Sequence, residues 1–583
     1  MKKKVFLLLG LVVLVVLGVV LWLCLRPRPI RVAAVNMPDF MLSRMVLSAD
    51  KLNADVRPED DLTRLSKYDA VLVFGMGLKW TEEDRDIIRA LDEKGVKYTT
   101  MMVTTPENNL TNMDSVAQKT LLRYIMNGGT SNYRSAFNYL RRDVVGKPLR
   151  TGEVAEPIRY GDDLLFARDS EDKAFYSIRE YEEYYRAHGY REGAPRVAVI
   201  TGIAGPFNSN REYLDELYDG LTAQGFNIYQ ISSFGKRLEF LDSIQPDLVV
   251  YFPHGRLLSG RSDELIAWLK GRNIPVLAPI TVGMTHEEWV ADPNGLIGGF
   301  LSQSVVTPEI DGAILPYALV VMEERNDGLK IFRTAPERLA TFCQLAKNYV
   351  ALKQKPNSEK RVAIYYYKGP GANSLVAQGI EVDNSLFNVL VHLKQAGYNV
   401  DGLPATAKEF NHLIMTQGAL FNSYAEGAQS DFMRSGYPAF VPADSLQRWV
   451  DITLTPRQRD TLKAKYGPVP GEYLTYVQDG KPGIAVTRIQ LGNVAILPQP
   501  AQGAGANDFK MVHGSVPVPA YPFIASYMWV RYAFGADVMM HFGTHGSLEF
   551  IPGKQVALSH EDYTDRMVNT LPHIYYYTTA NIG

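Results

Sequence analysis

The sequence contains only two cysteines, Cys24 in an apolar leader and Cys343 in a predicted helix. Disulfide-rich scaffolds and zinc sites built from several cysteines are therefore excluded, so a bound metal must be held by His, Asp or Glu side chains. The sequence also lacks a phosphate-binding loop. No Gly-Lys pair, including Gly480-Lys481 and Gly553-Lys554, has both the earlier glycine and the following Ser or Thr that such a loop needs. We predict no ATP site in this chain.

Excess charge of either sign is also missing. With 61 basic and 63 acidic residues, the net charge is −2, which provides no broad basic surface for a phosphate backbone and excludes nucleic acid as a partner. Apolar residues make up 46% and charged residues 21%, as in ordinary globular proteins. A length of 583 residues exceeds one hydrophobic core and predicts three or four domains.

The first 29 residues are predicted to form a membrane anchor. Lys2, Lys3 and Lys4 precede an uninterrupted apolar run from Val5 to Leu25, which as a helix is about 30 Å long and can cross a bilayer. A cleaved signal peptide is the alternative, but its apolar core is shorter and small residues follow it. The basic N-terminus predicts a single-pass protein with its N-terminus in the cytoplasm. In a bacterium, residues 5–25 would cross the inner membrane and the body would be periplasmic.

The rest of the chain has the pattern of a multidomain α/β protein, with several Rossmann-like parallel-sheet domains. Short apolar runs that alternate with helical segments predict parallel strands buried on both faces. We expect a first domain over 30–174, a second over 175–330 and the start of a core domain over 331–583. The main predicted strands are Ile30–Val35, Ala70–Gly75, Arg196–Thr201, Leu248–Phe252, Pro275–Pro279, Arg361–Tyr367 and Ala536–Phe542. The main predicted helices are Glu82–Lys94, Arg211–Gln224, Pro336–Leu352 and Asn384–Ala396.

Histidines are concentrated near the end of the chain. Five of the ten lie from His513 onward, and His541 and His545 flank the end of a predicted buried strand. Polar groups at the carboxyl end of such a strand are typical of a ligand site. The glycines beside His545 allow a large planar ligand to approach the backbone. A hydrogen-bonded core histidine remains the alternative for each, because the spacing alone does not establish a shared metal.

Three further polar residues are weaker candidates. Glu309 and Asp311 lie beside Gly312, and His254 follows a predicted strand. Acid-glycine pairs commonly form turns, so a structural role is the alternative for them.

The segment from His541 to Lys554, HFGTHGSLEFIPGK, resembles the signature of the large subunits of cobaltochelatase (CobN) and magnesium chelatase (ChlH, BchH). Supporting matches occur in the same order along residues 175–583: Pro308-Glu309, Asp311-Gly312, Asp383, Ser385-Leu386, Gly397-Tyr398, Pro498-Gln499-Pro500, Gly503, Leu571-Pro572 and Tyr575 to Tyr577. The resemblance implies a metal chelatase that acts on a tetrapyrrole (haem, porphyrin or corrin), with Fe, Co or Mg as the second substrate. It also implies a separate ATPase or reductant as partner.

The resemblance implies roles for seven residues. Neutral imidazoles suit a metal in transit through the ring plane, and a carboxylate suits exchange of the pyrrole protons. His541 and His545 are therefore expected to contact the metal or ring, and Glu549 to exchange protons. Lys554 is expected to pair with a carboxylate substituent of the ring. The remaining substrate-binding candidates are Gln499, His513 and Thr544.

With a membrane anchor, the chain resembles the haem-uptake branch of this family (HmuS). This resemblance favours removal of iron from haem as the reaction. Insertion of cobalt or magnesium with a separate ATPase is one alternative, and a carrier without catalysis is another. An anchored glycosyltransferase-like protein would explain the strands and helices but not the motif. Because family members continue well beyond Gly583, the chain is predicted to be an N-terminal fragment, with its own activity in doubt.

Overall fold

The computed structural model of the chain describes residues 28–149, 151–202, 205–326, 328–368, 375–377, 380–419, 426–503, 518–543 and 548–577. The predicted anchor at residues 5–25 lies outside these ranges. Within them, no helix combines the length and the apolar character needed to cross a bilayer. Three larger sheets, built mainly from parallel strands, confirm the predicted α/β class.

The first sheet is entirely parallel. Its strands are β1 (Ile30–Val35), β2 (Ala54–Pro58), β3 (Ala70–Phe74) and β4 (Lys97–Met101), in the spatial order β2-β1-β3-β4. Apolar clusters cover both faces, which explains the continuous apolar runs in the sequence. The associated helices are α1 (Asp39–Ser48), α2 (Glu82–Arg89), α3 (Ser115–Asn127) and α4 (Thr130–Tyr139). Helix α2 begins as predicted, at a capping box of Thr81 and Asp84, but ends before Lys94.

The second sheet has eight strands. They are β5 (Leu164–Phe166), β6 (Ala174–Phe175), β7 (Arg196–Ile200), β8 (Asn227–Ser232), β9 (Leu248–Tyr251), β10 (Val276–Thr285), β11 (Ala313–Glu324) and β12 (Lys330–Thr334). Their order is β12-β11-β10-β9-β7-β8-β5-β6, and the pairs β11-β12, β8-β5 and β5-β6 are antiparallel while the central strands are parallel. Because β5 and β12 are hydrogen-bonded into this sheet, it extends beyond residues 175–330 at both ends.

Eight helices accompany the second sheet. They are α5 (Ile178–Arg186), α6 (Gly205–Asn208), α7 (Glu212–Ala223), α8 (Arg237–Ile244), α9 (Ser262–Arg272), α10 (His286–Ala291), α11 (Gly298–Leu301) and α12 (Thr307–Ile310). Helix α7 buries Leu214, Leu217 and Leu221 against the sheet, at the spacing of one helical face.

The third sheet carries the histidine-rich segment. Its strands are β13 (Val362–Tyr366), β19 (Ile489–Leu491), β20 (Val494–Pro498), β21 (Val538–Gly543) and β22 (His573–Tyr577). The order is β19-β20-β13-β21-β22, and all but β19 are parallel. The predicted strand Ala536–Phe542 is therefore confirmed as β21, between two parallel neighbours.

The remaining strands and helices lie around the third sheet, apart from the helix Pro336–Gln354, which packs on the second sheet through Phe342, Leu345 and Val350. The strands are β14 (Val376–Ala377), β15 (Ile380–Glu381), β16 (Ala439–Pro442), β17 (Thr475–Gln478) and β18 (Lys481–Val486). The helices are α13 (Pro336–Gln354), α14 (Val382–Gln395), α15 (Ala407–Gln417), α16 (Glu426–Arg434), α17 (Ala443–Thr453), α18 (Pro456–Tyr466), α19 (Tyr521–Met528) and α20 (Tyr563–Val568). Proline at the start of α13 agrees with the predicted first turn.

Buried polar contacts join the second sheet to the segment that follows β21. The Trp289 indole N–H donates to the Ala557 carbonyl at 2.8 Å. Arg338, which is buried, forms an ion pair with Asp565. A buried charge without its partner is strongly destabilising, so these contacts fix the position of residues 553–565.

Candidate functional site

The candidate site lies where the carboxyl ends of β20, β13 and β21 meet at one edge of the third sheet. Ligands bind at such edges because the loops after parallel strands converge there. Gln499 directly follows β20, and its backbone N–H donates to the Tyr366 carbonyl at 3.0 Å. Lys368 lies just beyond β13, and Gly543 ends β21. The edge therefore gathers residues from three separate parts of the sequence.

His541 lies inside the sheet, next to this edge. It is in register with Tyr365 on β13 and Tyr575 on β22, and only 1% of its surface is exposed. The imidazole is nearly parallel to both phenol rings, at centroid distances of 5.1 Å and 5.3 Å. The three rings form a stack across adjacent strands, which we call the His541 stack. Cross-strand aromatic pairs of this kind stabilise a sheet.

Both ring nitrogens of His541 are hydrogen-bonded. Nε2 lies 2.8 Å from the Tyr527 hydroxyl on α19, and Nδ1 lies 2.7 Å from Nε2 of His573. A neutral imidazole donates from one nitrogen and accepts at the other, so the row Tyr527, His541 and His573 has two complementary proton arrangements. Moving between them carries one proton along the row: the Tyr527 oxygen takes up a proton at one end, His573 Nδ1 releases one at the other, and both imidazoles stay neutral.

Burial determines the protonation of this histidine pair. Removal from water, with a second contribution from His573, holds the pKa of His541 well below its usual value. Burial also lowers the pKa of His573 to about 4. Both imidazoles are therefore neutral at pH 7, as a metal ligand must be. The expected contact of His541 with a metal requires that Tyr527 or His573 first release its nitrogen.

The structure connects the predicted acid-base residue to the same stack. Glu549 lies in a short helical turn, Leu548–Phe550, and accepts a hydrogen bond from the hydroxyl of Tyr575. Tyr575 in turn stacks on His541. Glu549 and His541 are thus linked through one phenol, although eight positions separate them in the sequence.

Lys554 contacts the loop region around α10 of the second sheet unit. Its ammonium donates to the Val290 carbonyl at 2.9 Å and to the Asp292 carbonyl. The side chain is buried, which lowers its pKa. Lys554 therefore joins the segment after β21 to the second sheet unit, and neither contact is with a residue of the His541 stack.

Three of the expected site residues, His513, Thr544 and His545, lie outside the described residues. Thr544 and His545 directly follow Gly543, the last residue of β21. Gly543 has a φ of +144°, and a Cβ there would lie 2.3 Å from Cβ of Tyr367. Glycine is therefore required where the chain leaves β21 for His545.

A narrow apolar cleft opens beside the end of β20. Its walls include Phe432, Pro498, Pro500 and Ser526. The Ser526 hydroxyl is 3.1 Å from that of Tyr365, so the cleft wall connects directly to the His541 stack. Apolar walls with a few polar groups are typical of small-molecule sites.

Sequence reasoning missed four partners of the site: Tyr365, Tyr527, His573 and Lys368. His573 was visible only as one of the clustered histidines, and Tyr527 lies on a helix that is buried on all sides and has no amphipathic pattern. Lys368 could have been noticed as a basic residue directly after a predicted strand. It is buried, its pKa is lowered by burial, and its ammonium donates to the Gly418 carbonyl at 3.0 Å.

The weaker candidates have structural contacts. Asp311 is fully buried and pairs with Arg256 at 2.7 Å. The backbone N–H of His254 donates to the Tyr251 hydroxyl at 3.3 Å. Both contacts hold the loop after β9, as the turn alternative predicts.

Comparison with known proteins identifies the family. The family model described as CobN/Magnesium Chelatase matches residues 122–583, well over half of the chain. The aerobic cobaltochelatase subunit CobN of Pseudomonas aeruginosa is 27% identical over 419 residues, which cover 69% of this chain and 32% of that protein. The chloroplastic magnesium-chelatase subunit ChlH of Oryza sativa subsp. indica is 32% identical over 322 residues, 54% of this chain and 22% of that one.

A solved structure shares the fold. The catalytic subunit of cobaltochelatase from Mycobacterium tuberculosis superposes with a TM-score of 0.71 at 22% identity, covering 94% of this chain and 46% of the other. This chain spans less than half the length of each of these three relatives. The chain belongs to the CobN/magnesium chelatase family, as the motif from His541 to Lys554 predicts.

Proposed function

We propose that the carboxyl edge of the third sheet binds a porphyrin-type ring and exchanges its metal. The observation that carries the proposal is the neutral, buried His541 stack, placed where β21 leads into the glycine-flanked His545. A metal that moves through a ring plane needs uncharged nitrogen ligands, and ring nitrogens that gain or lose it need a proton relay. The row of Tyr527, His541 and His573 supplies neutral nitrogens and two proton arrangements.

We assign separate roles to the residues at this edge. His545 contacts the metal or the ring face, a role that rests on the motif. Glu549 exchanges ring protons, and Tyr575 holds its carboxylate beside the stack. His541 positions Tyr575 and Tyr527, and becomes a metal ligand only when one of its hydrogen bonds opens. Lys368, at this edge, joins Lys554 as a candidate cation for a ring carboxylate, and each ammonium donates to backbone carbonyls in the structure. We favour Lys368 because it directly follows β13, whereas the contacts of Lys554 are with the second sheet unit.

For the direction of exchange, we propose removal of iron from haem. Two protons bind the ring nitrogens as Fe²⁺ leaves, which gives metal-free protoporphyrin and conserves charge. Ferric haem additionally requires an electron donor. The predicted anchor at residues 5–25 supports this direction, because it predicts a body outside the cytoplasm, where no ATP is available. The second candidate is metal insertion with a separate ATPase, which is favoured by the names of the relatives, cobaltochelatase and magnesium chelatase.

The test compares haem binding with turnover. The chain is mixed anaerobically with haem and a reductant; absorbance reports binding, and fluorescence reports metal-free protoporphyrin. Glu549→Gln should bind haem with unchanged affinity but release protoporphyrin about 100-fold more slowly, because proton transfer by a positioned group contributes on that order. The exposed Glu93 provides a matched control, and Glu93→Gln should change neither quantity.

The same experiment distinguishes the alternatives. A carrier binds haem and gives no fluorescent product with either variant. A chelatase of the insertion type gives no product from haem but incorporates Co²⁺ or Mg²⁺ into metal-free porphyrin when an ATPase partner and ATP are added. Equal turnover by Glu549→Gln and the unsubstituted chain contradicts the role of Glu549.

A further inference from the structure

A second group of nitrogen and carboxylate side chains lies apart from the His541 stack. His286 is the first residue of α10, Glu337 lies in the first turn of α13, and His560 lies in the loop before α20. His286 Nε2 is 2.9 Å and His560 Nδ1 is 3.2 Å from the same oxygen, Oε1 of Glu337. One ligand atom from each of the three residues lies within 4.8 Å of the others.

These separations match a coordination shell. Tetrahedral ligands about 2.0–2.1 Å from a zinc-like ion lie roughly 3.3 Å from one another. Two imidazoles and one carboxylate also form a common set of protein ligands for such an ion. Small side-chain rotations would therefore suffice to bring all three ligand atoms around one cation.

One ligand atom lies in an ion-pair contact but lacks a well-formed hydrogen bond. His560 Nδ1 is buried and makes no hydrogen bond within the described part of the chain. Glu337 Oε1 is near enough in distance, but the pair does not form a hydrogen bond. This buried nitrogen faces the Glu337 carboxylate, 3.2 Å away. A cation shared by the three ligand atoms would satisfy this nitrogen.

The surroundings hold His560 in this orientation. Its other nitrogen, Nε2, lies 3.4 Å from Oε1 of Glu561. Glu561 is fixed in turn, because its other carboxylate oxygen accepts from the Thr455 hydroxyl at 2.9 Å and its carbonyl accepts from the Gln458 side chain at 2.9 Å. Metal-binding histidines typically have a carboxylate on the far nitrogen, which fixes the tautomer and directs the lone pair of the near nitrogen at the metal.

His286 is also supported from the opposite side. Its ring packs edge-on against the buried Trp289, at a centroid distance of 5.8 Å. The Trp289 indole N–H donates to Ala557, in the segment that carries His560. The side chains of His286 and Glu337 are each 33% exposed, so water can complete the coordination of an ion. The three ligands come from two sheet units, and an ion between them would join these units.

We propose that His286, Glu337 and His560 bind a divalent transition-metal ion of the zinc type, which clamps the loop before α20 to α10 and α13. The ion is a resident structural metal, separate from any metal exchanged at the His541 stack. Glu561 is a positioning residue, since it acts on the ion only through His560.

Cobalt titration tests the proposal. The complete chain is treated with a chelator and titrated with Co²⁺, whose visible absorption depends on its ligands. We expect one tight equivalent, displaced by Zn²⁺. His286→Ala, His560→Ala and the isosteric Glu337→Gln should each weaken this equivalent at least 100-fold. Glu561→Gln should weaken Co²⁺ binding about 10-fold or more, the usual effect of removing a group that hydrogen-bonds to a metal ligand. His392→Ala, at an exposed histidine of α14, is the matched control and should leave it unchanged.

Two further readouts keep the outcome clear. Circular dichroism of each metal-free variant shows whether it is folded, and Zn²⁺ should raise the melting temperature of the unsubstituted chain but not of Glu337→Gln. Co²⁺ bound at His541 and His573 would survive all three ligand substitutions, so this outcome overturns the clamp while leaving the proposed function intact. If the folded chain binds no Co²⁺ tightly, the clamp is also overturned, and the three side chains form an ion-pair network instead.

Discussion

Replacing Tyr527 by phenylalanine tests the hydrogen-bonded row directly. The substitution preserves the ring, which packs against Phe523 and Tyr365, and removes only the hydroxyl that lies 2.8 Å from Nε2 of His541. His541 is 1% exposed, so water cannot replace the lost partner. A buried polar atom without a partner costs about 1–3 kcal/mol, which is the expected loss in the free energy of unfolding. Urea unfolding, followed by tryptophan fluorescence, measures this loss at pH 7.

Ser526→Ala is the matched control. It removes the hydroxyl that lies 3.1 Å from the neighbouring Tyr365 but leaves both nitrogens of His541 bonded. Tyr527→Phe should also slow protoporphyrin release from haem, because the row then has no hydroxyl to exchange a proton with Nε2 of His541, whereas Ser526→Ala should not. A loss below about 0.5 kcal/mol for Tyr527→Phe, with unchanged turnover, would refute the assignment of this row.

Three other predictions follow from single contacts. Lys554→Met should lower the free energy of unfolding by about 1.5–3 kcal/mol, because the ammonium donates to the carbonyls of Val290 and Asp292. Haem affinity, measured by absorbance titration, should not change. Weaker haem binding would instead indicate that Lys554 contacts the ring. Gly543→Ala should lower the free energy of unfolding, measured in urea, by at least about 1 kcal/mol and should reduce turnover, because the added Cβ would clash with Tyr367. Full activity of this variant would contradict the requirement for glycine at this position. Burial opposes ionisation of Asp311, but hydrogen bonds from Arg256, Ser262 and the Leu258 amide outweigh it and lower its pKa. The Asp311 carboxylate therefore stabilises the fold above the unfolded pKa near 3.9, and this stabilisation is lost as pH falls through the lower folded pKa. Asp311→Asn should be less stable than the unsubstituted chain at pH 7. Below about pH 4, its free energy of unfolding, measured in urea, should fall less steeply with pH.

The buried strands could be predicted from the sequence. Ile30–Val35 and Leu248–Tyr251 are continuous apolar runs because parallel strands are covered on both faces, and this pattern is local. Proline likewise marked the helix start at Pro336, and glycine marked the end of β21 at Gly543. The strand that carries His541 was therefore predictable, together with its position at a ligand-binding edge.

The partners of His541 could not be predicted in this way. Tyr527 and His573 reach it from a helix and from a neighbouring strand, and nothing in the local pattern shows which nitrogen each one meets. Lys554 shows the same limitation, because its contacts lie 264 and 262 residues earlier in the chain. The group of His286, Glu337 and His560 is likewise assembled by the packing of two sheet units. Contacts between distant segments depend on the tertiary structure, which cannot be read from the local pattern of apolar and polar residues.

The most direct test of the central claim is release of metal-free protoporphyrin from haem by the chain and by His545→Ala, under anaerobic reducing conditions. His392→Ala, at an exposed histidine, is the control. If the edge beyond β21 exchanges the metal, fluorescence should appear with the unsubstituted chain and with the control, and should be lost with His545→Ala. Equal fluorescence from all three would contradict a role for this edge, and a stable haem spectrum in all three would contradict iron removal by this chain.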